Sequence, residues 1–90
     1  MVKPVILIAD DDKAIRLVLE RKFNKSGFVT KSTDKGKNLL SWVEQGAGDL
    51  IITDVIMEDS NGLDLLTKIH EIRPDLPVMI MSGMNTIRQR

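Results

Sequence analysis

Short apolar runs alternate along this chain with longer stretches in which apolar residues recur every three or four positions. That alternation predicts strands and helices in turn. Val5, Ile6, Leu7, Ile8 and Ala9 form an uninterrupted apolar run that ends in Asp10, Asp11 and Asp12. Such a run suits a strand over 5–10 buried on both faces, as in parallel sheets. Asp11 or Asp12 then caps a helix whose Ile15, Val18, Leu19, Lys22 and Phe23 follow helical spacing, and Ser26 with Gly27 ends it. A weaker strand is predicted over 28–33. A helix over 34–45 follows, with Leu39, Leu40 and Val43 inward and a stop at Gly46 and Gly48. Leu50, Ile51, Ile52 and Thr53 repeat the first motif, closed by Asp54. Residues 55–61 read as a loop with Gly62 as its turn, and a helix over 63–72 carries Leu65, Leu66, Ile69 and Ile72 inward. Pro74 and Pro77 break that helix before a fourth apolar strand over 78–82, and 85–90 begins another helix. The order βαβαβαβ(α) implies parallel strands, right-handed crossovers and helices on both faces.

Length and composition narrow the function without naming it. Ninety residues make one domain over 1–90. Thirteen basic and thirteen acidic residues cancel, so no electrostatic footprint for nucleic acid or membrane is expected. Cysteine is absent, which excludes thiol ligands and fits a cytoplasmic protein. The apolar start is far too short for a membrane span.

The chemistry gathers at the strand ends. Open α/β sheets bind ligands at the carboxyl ends of their strands, and two of the predicted strands deliver acids there: Asp10 and Asp11 from the first, Asp54 from the third. Carboxylates brought together repel, and so need a cation or a proton. Magnesium suits them, since it takes oxygen ligands and keeps waters beside one or two carboxylates. Helix capping is the bland alternative, but it accounts for only one of the two clusters. Ser82 ends the fourth strand at the same edge, where its hydroxyl could donate to an anion. His70 reads as an exposed helix residue, Met79 and Met81 as core filling, and Trp42 as partly buried on the second helix. The lysines from 22 to 37 form a solvated face, and Gly46, Gly48 and Gly62 make no nucleotide-binding pattern.

Three stretches together resemble the receiver domain of two-component response regulators: residues 6–12, residues 51–57 with Asn61 and Gly62, and residues 78–83. Within that family the chain is most similar to the nitrogen-regulatory, NtrC-type branch. The resemblance implies a flavodoxin-like (CheY-like) sheet in strand order 2-1-3-4-5. It implies that Asp54 accepts a phosphoryl group from a sensor histidine kinase. Asp11, Asp54 and the backbone carbonyl of Ile56 would bind Mg2+, Asp10 would complete the pocket through water, and Ser82 would be the switch hydroxyl. Glu58 stands where most members have proline. The sequence ends before the fifth strand and its lysine, so a fragment of a longer protein is expected, truncated before that strand. ATPase and DNA-binding segments beyond residue 90 would be its output. An exposed fourth strand would favour completion of the sheet by exchange between chains, giving a dimer.

These expectations describe a signalling module in an enhancer-dependent (sigma-54) activator rather than an enzyme. A stand-alone adaptor with the same receiver is one alternative. A magnesium-dependent phosphohydrolase of the haloacid dehalogenase type is another. It needs a second acid two residues after its nucleophile; after Asp54 this chain has Ile56, and after Asp10 it has Asp12 flanked by the wrong pattern.

Overall fold

The computed structural model describes residues 3–57 and 59–81. In chain order the elements are β1 (Val5–Ala9), α1 (Lys13–Lys25), β2 (Val29–Thr33), α2 (Gly36–Glu44), β3 (Leu50–Asp54), β4 (Ile56–Met57), β5 (Ser60–Asn61), α3 (Gly62–Ile72) and β6 (Val78–Met81). Four strands pair in parallel in the order β2-β1-β3-β6, which is the expected 2-1-3-4 arrangement. β1 therefore lies inside the sheet, and Leu7, Ile8 and Ala9 are fully buried, as an unbroken apolar run requires. The stretch predicted as a loop after β3 instead forms the small antiparallel pair β4-β5. It has a core residue to deliver, because Met57 is buried among side chains of β1, α2 and α3.

The two sheet faces are covered differently. On one, Leu39 and Val43 of α2 and Leu65 and Ile69 of α3 pack over Leu7, Ala9 and Ile51. On the other, Leu19 and Phe23 of α1 cover Ile6, Ile8 and Ile52 together with Phe28. The Phe23 and Phe28 rings meet edge to face at 5.9 Å. Among the described residues α1 has no helical neighbour on its face, so it buries a narrow line one turn apart. Val18, expected inward, points away and is 63% exposed. Ile72, also expected inward, is exposed in the last turn of α3, and Leu76 beyond the helix fills the core instead. Met79 departs from its expected core role as well. Its register partner is Ile52, on the α1 face, but β6 is at the sheet edge beyond that helix, and Met79 is 55% exposed. Met81, two residues on, is half-buried against the Ile52 cluster. Trp42 is half-buried as read, with the Lys31 ammonium 4.5 Å from its ring centre, and His70 is exposed.

Local chemistry explains the element ends. Gly27 follows α1 at φ +95°, a conformation that glycine adopts without strain. Gly62 is not the turn residue but the first residue of α3, capped by the Asn61 side chain, which accepts from Leu63 N–H at 2.8 Å. Glycine is needed there because a Cβ would come within 2.4 Å of the Val55 carbonyl oxygen.

Candidate functional site

Strand register brings the acids together. Ala9 pairs with Thr53, so the next residues along, Asp10 and Asp54, are neighbours at the carboxyl edge of the sheet. Side chains alternate along a strand. Asp10 continues the line of Ile6 and Ile8, and Asp54 that of Leu50 and Ile52, so both acids sit on the α1 face. Asp10 is only 2% exposed, Asp54 is half-buried, and Asp11 is exposed. Asp54 Oδ1 accepts the Val55 N–H at 2.8 Å, which fixes the carboxylate at the strand end. The same N–H reaches the Met81 carbonyl at 3.0 Å and ties that point to β6.

Asp10 is held on every side. Its N–H donates to the Thr33 carbonyl at 3.0 Å, extending the β1-β2 ladder. Its Oδ1 accepts the Asp12 N–H at 2.8 Å, and its carbonyl accepts from the Arg16 guanidinium at 2.7 Å. Burial is the main reason its carboxyl is held above the usual carboxylate range; the charges of Asp54, Asp12 and Asp11 push the same way, against the Asp12 N–H bond. Asp12 itself serves the helix, accepting from Ala14 and Ile15 N–H, and is the cap the sequence left open between two residues.

The donor set fits a hydrated hard cation. A buried carboxyl beside three other acids is short of positive charge, and Asp54 and Asp11 bring carboxylate oxygens to the same edge. Among the described residues no three acidic or imidazole side chains converge into a ready-made cage. The Ile56 backbone enters β4 two residues after Asp54. Ser82 lies outside the described residues.

Two residues had no role assigned from the sequence. Arg16 is one, bound to the Asp10 carbonyl. Asp59 reads as a loop acid, yet it caps a helix from a distance: Asp59 Oδ1 accepts the Gly36 N–H at 2.8 Å and Oδ2 the Lys37 N–H at 3.2 Å. The Gly36 bond chiefly draws the Asp59 carboxyl below its usual range, helped by the Ser60 hydroxyl. The available signal was Lys35, which precedes α2 and offers it no side-chain cap.

Residues 6–90 match the family model of the response regulator receiver domain. The chain is 51% identical over 81 residues to the DNA-binding transcriptional regulator NtrC of Bradyrhizobium sp. (strain RP501 Parasponia), covering 90% of this chain and 17% of that protein. It thus spans less than a fifth of the length of the NtrC relatives it matches. A CheY-like receiver from Methanospirillum hungatei superposes with a TM-score of 0.88 at 26% identity, covering 96% of this chain and 69% of that one. A transiently phosphorylated switch in bacterial signal transduction superposes at 0.78 with 32% identity, covering 92% of this chain and 67% of that one. Among the described residues no helix is long and apolar enough to cross a membrane.

Proposed function

The chain belongs to the response regulator receiver family, and we propose that it is the phosphoacceptor module of an NtrC-type regulator, with Asp54 carrying the phosphoryl group. The observation that supports this most directly is the register that sets Asp54 beside the buried Asp10 at the carboxyl edge of the sheet. A carboxylate oxygen of Asp54 attacks phosphorus on the phosphohistidine of a sensor kinase. The phosphorus–nitrogen bond breaks, an acyl phosphate forms, and the departing imidazole takes up a proton. The Val55 N–H bond keeps the Asp54 carboxylate oriented for that attack. Asp11, Asp54 and the Ile56 carbonyl are the residues to hold Mg2+, with Asp10 contributing through water. When bound, the ion supplies the positive charge that lets an anionic donor approach so many carboxylates. Ser82 is the hydroxyl to receive the new phosphoryl oxygens. The module accepts one group and is not itself an enzyme. Its output passes to ATPase and DNA-binding segments that act in the cytoplasm on sigma-54-dependent transcription in nitrogen regulation.

Intact mass after incubation with a small acyl phosphate tests the assignment. The expected result is a gain of one phosphoryl group that requires magnesium and is lost in Asp54→Asn. A gain that survives Asp54→Asn, or none in the parent chain, overturns it.

A further inference from the structure

Arg16 stands in α1 outside the acidic group and takes no part in the proposed phosphoryl transfer. Yet it grips the acidic loop at two points. Its backbone N–H donates to the Asp12 carbonyl at 3.1 Å in the first turn of α1. Its guanidinium reaches back to the Asp10 carbonyl at 2.7 Å in a partly buried bond. The Asp10 carbonyl belongs to the peptide that joins Asp10 to Asp11. From that peptide a buried carboxyl and an exposed one diverge. The rest of the loop is tied as well, by Asp10 Oδ1 to the Asp12 N–H and by Asp12 Oδ1 to the helix N-terminus. Arg16 closes this chain of bonds.

We propose that Arg16 is a positioning residue of the cation site, fixing the Asp10–Asp11 peptide so that its carboxylates meet Asp54 in a geometry that binds Mg2+. The proposal rests on the magnesium reading above. Its physical content is a contest between two effects of opposite sign. A guanidinium beside an acidic site repels a cation, so deleting it on charge grounds alone should tighten metal binding. Holding the peptide that carries the ligands favours the metal, so deletion on positioning grounds should weaken it. The bond goes to a carbonyl rather than a carboxylate. This hydrogen bond therefore acts on backbone geometry, and positioning should win.

Magnesium titration of the whole chain by calorimetry decides between them, using Arg16→Gln, Arg16→Ala and Arg16→Lys with their folding checked by circular dichroism. Loss of about ten- to a hundredfold in affinity is expected for Gln and Ala, the range typical of groups that orient metal ligands. Lys keeps one donor and the charge and should recover much of the loss. Equal or tighter binding by folded Gln and Ala variants overturns the proposal, since a charge-only or purely structural role gives that result. Failure of the magnesium reading is distinguished by the parent chain, which then shows no binding and removes the proposal with it. A measurement on the parent protein needs no variant: a scalar coupling across the hydrogen bond from Arg16 Nη to the Asp10 carbonyl carbon. Its presence with and without magnesium is expected, and its absence overturns the proposal even if every variant misfolds.

Discussion

Asp10 keeps an ionisable group where solvent scarcely reaches, and the folded protein bears the consequence. Its carboxyl titrates above the ordinary value of 3.8 in the folded state because burial and neighbouring charges disfavour the anion. The folded state therefore holds its proton more tightly than the unfolded chain does. Stability associated with that proton is fully present below the unfolded pKa and is lost as pH rises through the folded one. Asp10→Asn should accordingly stabilise the metal-free protein at neutral pH, with the gain shrinking to nothing in acid. Asparagine Oδ1 can still accept the Asp12 N–H, so the loop need not rearrange. Urea midpoints in chelator at neutral and acid pH check this, and an equal gain at both overturns it. Asp10 and Asp54 were legible in the sequence because apolar runs ending in acids mark strand ends. Arg16 was not, because its importance is a bond to a backbone carbonyl, which no side-chain pattern encodes.

The elements repeat this lesson at larger scale. The sequence of strands and helices follows from the alternation of periods and the strand order from the family resemblance, and both agree with the fold among the described residues. Misassigned positions fall where, among the described residues, an element has less cover than its pattern implies: Val18 on the single helix of its face, Ile72 in a final turn, Met79 on an edge strand. Hydrophobic spacing tells which residues can face a core, while the presence of a covering partner decides which do. The loop after β3 was misread for a different reason. Its structure depends on α2 and α3 more than on its own residues, with Met57 inserted between them, Asp59 bound to Gly36, and Gly62 pressed against Val55. Gly62→Ala should therefore cost roughly 1–3 kcal/mol, the range for forcing added atoms into a packed site. The backbone of Val55 cannot move aside as a flexible side chain would. Chemical denaturation measures the loss, and a variant as stable as the parent would show that the close approach relaxes freely.

At the scale of the molecule, the sheet is asymmetric in cover. Among the described residues two helices close one face and one helix closes part of the other, while β6 has a strand partner on β3 alone. Met79 on β6 has little packing to lose at 55% exposure. Met79→Lys should therefore leave folding stability within about 0.5 kcal/mol of the parent. Chemical denaturation measures this, and a larger loss would show that Met79 is covered in solution.

Asp59 holds the first turn of α2 from 23 residues downstream of Gly36. Synthesis runs from the amino terminus, so α2 leaves the ribosome well before its cap exists. Until residue 59 emerges, the Gly36 and Lys37 amides must look to water. By then β3 and Asp54 have been made, and the hairpin that settles on α2 is the one that follows Asp54 directly. The helix thus becomes complete only after β3 has been made, and Asp54 gains its β6 neighbour Met81 later still. A nascent chain stopped between residues 54 and 78 therefore carries Asp54 without the strand that pairs with it in the finished sheet.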